Sequence, residues 1–253
     1  MSYEIVIGRS KKEIEKYATK GTIMLGKQYV QMGPTTSLSN PVLIDVANSH
    51  VIFVCGKRGS GKSYTMGVIA EGIADLPEEI KQNLSVIILD TMGVYWTMKY
   101  PNYQDALLMH DWNMEPKGLD VRIFTPSGFY TSYKERGIPT DVPFAIRPAD
   151  LTAEDWCITF NIDSNSTAGV LIARVVNFVN GSEKDVSIAD IVAAVEQDKK
   201  SDDHTKNLVV NHFHHVEDWG IFSKKGTPLK DLATAGQITV LDMSPYATLP
   251  HGW

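Results

Sequence analysis

The rhythm of apolar and polar positions changes near His50. Upstream, the charged stretch from Ser10 to Thr19 predicts a short helix with a solvated face. The next segment, GTIMLGKQYVQMGPTTSLSNPVLIDVANS, sets apolar stretches between Gly21, Gly26, the Gly33-Pro34 turn and Asn40-Pro41. That punctuation predicts short strands separated by turns. From His50 the texture differs: VIFVC is a continuous apolar run bounded by glycine, MGVIAEGIADL has the composition of a helix, and SVIILD is a second apolar run ending on an acid. Strand, helix and strand in about 40 residues make a βαβ unit, which needs a parallel sheet covered on both faces. GLDVRIFTP predicts another strand, and residues 148–179 predict helix, with Asp150 or Thr152 as its cap. SIADIVAAVEQDKK starts a further helix at a serine cap. HTKNLVVNHFHHVEDWGIF carries Leu208, Val209, Phe213, Val216 and Trp219 at spacings of three and four, again helical. GQITVLD is a last buried strand, ending on Asp242. The fold class expected is α/β with a mainly parallel sheet. A β-rich segment occupies 1–48, a core occupies 49–253, and a helical insertion spans about 148–235.

With 253 residues the chain is long enough for one large α/β domain, or for a core with a small appendage. Hydrophobic residues make up 43% and charged residues 21%, and no apolar run reaches the roughly 18 residues of a spanning helix, so neither disorder nor a membrane is expected. Cys55 and Cys157 lie far apart in the chain, outside any C-x-x-C spacing, which fits a reducing, cytoplasmic setting. The N-terminus is charged where a secretory signal would be apolar. A net charge of -6 argues against a surface that coats nucleic acid, although residues 1–30 hold six basic residues against three acids.

The most informative motif is Gly56-Lys57-Arg58-Gly59-Ser60-Gly61-Lys62-Ser63, a full G-x-x-x-x-G-K-[ST] match followed by Tyr64. It stands between the expected strand Val51–Cys55 and the expected helix from Lys62. Glycines let successive backbone N–H groups point inward, and the helix N-terminus adds the positive end of its dipole, so a triphosphate is the matching ligand. A nucleoside triphosphate with Mg²⁺ is therefore expected at Gly56–Tyr64. Lys62 would serve as the catalytic charge on the β- and γ-phosphates, and the Ser63 hydroxyl would be a ligand of Mg²⁺.

Asp90 ends the strand that follows and is expected to act on Mg²⁺, directly or through water. Acids at the carboxyl ends of parallel strands line the ligand crevice. The plainer role for Asp90 is to start the turn at Thr91-Met92-Gly93, and Asp242 has the same two readings. His212, His214 and His215, with His204, Glu217 and Asp218 nearby, raise the question of a metal. Only His212 and His215 share a helix face and no H-E-x-x-H occurs, so a polar helix face is favoured. Tyr95, Trp96 and Tyr100 are read as packing rather than as a base-stacking platform. Of six arginines, Arg122 and Arg174 fall within predicted elements and are expected to be structural.

HVIFVCGKRGSGKSYTMG followed by VIILDTMGVYW resembles the HerA/FtsK family of hexameric ATPases, as do the β-rich lead-in and the late GQITVLDMS strand. The resemblance implies a RecA-like P-loop motor that binds ATP between the subunits of a hexameric ring. It further implies translocation of duplex DNA, or work beside a nuclease in processing DNA ends. By matching position, Gly56 to Ser63 are the nucleotide loop and Asp90 is the acid of a D-x-x-G-E-Y pattern, in which Val94 replaces the Glu. The family also has a later strand with an acidic pair, followed by arginines. Nothing of that kind follows Asp242, and the chain closes on MSPYATLPHGW, so a C-terminally truncated core without the catalytic glutamate is expected. The alternatives are a nucleotide-dependent switch that does not move DNA, and a P-loop small-molecule kinase. The chain shows no N-K-x-D motif for guanine and no arginine-rich lid for a kinase.

Overall fold

Serine 10 begins the first helix with a reciprocal cap. Its hydroxyl accepts from the Glu13 N–H while the Glu13 carboxylate accepts from the Ser10 N–H. A computed structural model of the chain, which describes residues 3–182 and 185–248, places this helix, α1, at Lys11–Tyr17 with no buried residue, as the charge pattern implies. Residues 1–2 and 249–253, the chain ends considered above, lie outside the described residues, as do 183–184.

Ahead of α1 lies β1 (Ile5–Ile7), and behind it β2 (Thr22–Met32) and β3 (Thr35–Asp45) form a hairpin turning at Gly33-Pro34. These are two long strands where several short ones were expected. Gly26 sits at a register shift after Met24 and is absorbed as an irregularity of one strand. Pro41 pairs with Lys27, while the parallel pairing of β1 starts only at Val42, so no bond to β1 is lost at the proline. The sheet order is β1-β3-β2.

The rest of the chain runs through α2 (Lys62–Ala74), α3 (Glu78–Lys81), β4 (Val86–Asp90), α4 (Ala106–Asp111), β5 (Val121–Pro126), α5 (Ser127–Glu135) and β6 (Val142–Phe144). It continues through α6 (Ala153–Phe160), α7 (Thr167–Ser182), α8 (Ile188–Gln197), α9 (Asp203–Glu217), α10 (Leu229–Leu232) and β7 (Ile238–Asp242). Four of the strands form an all-parallel sheet in the order β4-β7-β5-β6. With its helices and N-terminal β segment, this is the mixed α/β architecture of a RecA-like P-loop domain. No helix among the described residues is long and apolar enough to cross a membrane.

One expected strand is absent. Residues 51–55 have no ladder partner among the described residues, and Val51 and Phe53 are 101% and 87% exposed. An apolar run becomes a strand only where neighbours take up its N–H and C=O groups, and β4, β5, β6 and β7 pair with one another instead. The short β6 and helix α5 lie in a stretch that carried no prediction.

The chain forms two compact units. In one, made of Met1–Ile88, Val94–Val121 and Ala233–Val240, the hairpin and α2 share a core of Ile23, Ile44 and Leu76 with Ile69 and Ile73 against it. Gly72 lies at the closest approach: a Cβ there would stand 2.9 Å from the Ile23 Cβ. The other unit, made of Leu89–Gly93, Arg122–Leu232 and Leu241–Trp253, buries Trp156, Leu171, Ile172, Ile191, Val209 and Phe213 between its helices. A second cluster there gathers Phe124, Phe144, Ile221, Leu241 and Tyr246.

Candidate nucleotide-binding site

The phosphate loop takes its shape from three glycines. Gly59 and Gly61 hold φ of 78° and 87°, in the left-handed region that a side chain disfavours. Gly56 lies close to Ser60: a Cβ there would fall 2.3 Å from the Ser60 Oγ, which would have to rotate away. The turn closes through the Ser60 N–H, which donates to the Lys57 carbonyl at 3.1 Å. Residues 56–61 are all exposed, so the concave side of the loop is open to a ligand.

Helix α2 follows with Gly61 at its cap and no acidic residue in its first turn, which leaves the positive end of its dipole uncompensated. Lys62 Nζ donates to the Gly56 carbonyl at 3.0 Å and to the Lys57 carbonyl at 2.9 Å, so its ammonium group lies across the loop it follows. The Thr65 N–H and hydroxyl both donate to the Gly61 carbonyl, at 2.8 and 3.1 Å. Ser63 and Tyr64 are exposed on the first turn. Glycine conformation, an ammonium beside the loop carbonyls and an open helix N-terminus together fit the phosphates of a nucleotide. A serine hydroxyl on the same turn fits Mg²⁺, a hard cation that takes oxygen ligands.

Tyr95 belongs to this neighbourhood. It opens a short 3-10 turn, Tyr95–Lys99, is 8% exposed, and donates its hydroxyl to the Ser63 carbonyl at 3.1 Å. Reading the aromatic cluster as packing fits buried Tyr95 but not Tyr100, which is 58% exposed, and it missed this bond. The only signal in the sequence was its place at the end of the D-x-x-G-x-Y pattern. Trp96 and Tyr100 meet edge to face with centroids 6.0 Å apart.

Asp90 and Asp242 end the neighbouring strands β4 and β7 and are 2% and 5% exposed. Asp90 Oδ1 accepts from the N–H groups of Met92 and Gly93, at 3.1 and 2.8 Å, so the turn-starting role is realised. Asp242 Oδ1 accepts from the Ser244 N–H at 3.0 Å. Burial pushes the Asp242 carboxyl above the usual range, against the hydrogen bonds from Ser244 and aided by the charge of Asp90.

The histidines of α9 are engaged singly. His212 stacks on Phe160 with centroids 4.9 Å apart, and burial, then the charge of His215, pulls its pKa down. His214 Nδ1 lies 3.7 Å from Glu217, and His215 meets the edge of Trp219. Among the described residues no group of three or more His, Cys, Asp or Glu is arranged to hold a metal ion. Arg174 pairs with Asp198 at 2.8 Å and with Ser201, and Arg122 lies over the Phe124 ring.

A comparison with curated proteins returns no match. The family model described as the central domain of the helicase HerA covers residues 30–250, from the hairpin through the phosphate loop to the end of β7 and beyond. With that extent of match laid over a phosphate loop and a parallel sheet, the chain belongs to the HerA central-domain family and is a P-loop ATPase domain of HerA/FtsK type.

Proposed function

We propose that the chain binds ATP and Mg²⁺ at Gly56–Tyr64 and supplies the nucleotide-binding part of a cytoplasmic, ring-forming ATPase that drives duplex DNA, alone or beside a nuclease. The observation that carries the reading is the loop itself: glycines at positive φ, an open helix N-terminus and Lys62 across the loop carbonyls. Membership of the HerA family supports the DNA-directed part. In this reading the backbone of Gly56, Lys57, Arg58, Gly59, Ser60 and Gly61 cradles the phosphates and Tyr64 flanks them. Lys62 turns its ammonium group from the loop carbonyls to the β- and γ-phosphates, and Ser63 holds Mg²⁺ by its hydroxyl. Bound Mg²⁺ neutralises phosphate charge, and these residues position what it binds.

Calorimetric titration with AMP-PNP tests the assignment. Lys62→Ala removes a charge-assisted contact and is expected to weaken binding about ten- to a hundredfold. Equal affinity in the two proteins removes Lys62 from the site.

A further inference from the structure

Helix α2 is held differently at its two ends. Its C-terminal half packs on the hairpin through Ile69, Gly72 and Ile73, with Ala70 buried. Its first turn carries exposed Ser63 and Tyr64, followed by exposed Met66, so apolar burial does not fix the end that faces a ligand.

We propose that Tyr95 is a positioning residue that braces this first turn: its hydroxyl, bonded to the Ser63 carbonyl, keeps the Ser63 hydroxyl presented to Mg²⁺. The inference rests on the ATP and Mg²⁺ reading of the loop. A helical carbonyl has two lone pairs, one for the N–H four residues on and one for an outside donor such as the 3.1 Å contact from Tyr95. That donor limits rotation of the peptide plane leaving Ser63, and so fixes the Cα that bears the hydroxyl.

The turn that carries Tyr95 is hydrogen-bonded on itself and to the segment after α4. Thr97 Oγ1 donates to the Val94 carbonyl at 2.7 Å, and the Tyr100 N–H to the Thr97 carbonyl at 3.0 Å. The Leu119 N–H donates to the carbonyl of buried Met98 at 2.8 Å. Mg²⁺ demands near-octahedral geometry at short distances, so a small displacement of one ligand is costly to it. The phosphate contacts, made by several N–H groups and a long flexible lysine, tolerate the same displacement. Loss of the brace should therefore act on the metal-dependent part of nucleotide affinity.

The test measures AMP-PNP affinity in Mg²⁺ and in EDTA for the unmodified chain, Tyr95→Phe, Ser63→Ala and the double variant, with thermal unfolding run alongside. The phenylalanine keeps the ring and removes only the hydroxyl. Affinity in Mg²⁺ is expected to fall about three- to tenfold while affinity in EDTA stays within about twofold, the size of one hydrogen bond. In the Ser63→Ala background the second substitution should add nothing. If affinities in Mg²⁺ and EDTA fall together, or neither falls, Tyr95 is a packing residue and the proposal fails. If the phenylalanine variant melts early, the same ratio is read below its melting transition. An unmodified chain that ignores AMP-PNP, or binds it equally without Mg²⁺, overturns the loop reading and this inference with it.

Discussion

Burial acts on Asp45 and Asp242 with opposite outcomes. At Asp45 burial raises the pKa, but donors from His50, Asn48, Arg9 and the Ala47 N–H outweigh it and hold the carboxyl at about 2. That depressed value stabilises the fold above the ordinary pKa of about 3.9, and the contribution is lost as the pH falls toward 2. Asp242 has fewer donors, and its pKa is raised, so its ionised form strains the fold at neutral pH. Asp242→Asn keeps an oxygen for the Ser244 N–H and removes the charge. The nucleotide-free variant is expected to melt higher than the unmodified chain at pH 7, with the difference shrinking as the pH falls and gone below about pH 3.9, where the unfolded Asp is also protonated. Melting curves of both proteins across that range cancel the contribution of Asp45. A gain that does not depend on pH would show that the Asp242 charge is not its source.

The helices show how far spacing alone carries an element. In α8 the buried residues are Ile188, Ile191, Val192 and Val195, the i, i+3, i+4, i+7 stripe of a helix packed on one side. Ser187 caps it and Asp190 returns the bond, as the serine signal implied, and Thr152 rather than Asp150 caps α6 in the same way. Hydrogen bonds from the Ser187 side chain and backbone, then Lys224, hold the Asp190 carboxyl at about 2. Ser187→Ala is expected to cost about 0.5–2 kcal/mol in denaturant unfolding and to raise the Asp190 pKa in an NMR titration. In α9 the stripe is Thr205, Val209, Phe213 and Val216, whereas Leu208, counted among the apolar set, is exposed. Mixed spacings of three and four admit both Leu208 and Val209, and only the packing partners decide between them.

At the scale of the whole molecule the charge distribution bears on the proposed work with DNA. A net charge of -6 disfavours broad contact with DNA, so on the proposed function any contact would be confined to a limited basic surface. Each phosphate neutralised there should release counterions, so that log affinity falls with log salt at a slope near -0.9 per contact. Sedimentation of the protein with AMP-PNP, with and without duplex DNA across a salt series, is expected to show a ring whose DNA binding weakens steeply with salt. A monomer indifferent to DNA at low salt would favour a nucleotide-dependent switch.

The turn of the phosphate loop and the start of the helix after it were legible in the sequence because both are local: glycine conformation and a helix start are settled within eight residues. Strands β4, β5 and β7 were legible for a similar reason, since short apolar runs bounded by turns have few alternatives. Val51–Cys55 had the same composition and is not a strand, because pairing belongs to the neighbours a run finds and not to the run. Likewise Tyr95 lies 32 residues from Ser63 along the chain, so no periodicity relates the two. The residues of the loop determined its turn and the helix that follows it. Which side chains brace the loop, and which carboxyls are left strained by burial, was decided only when distant segments came together.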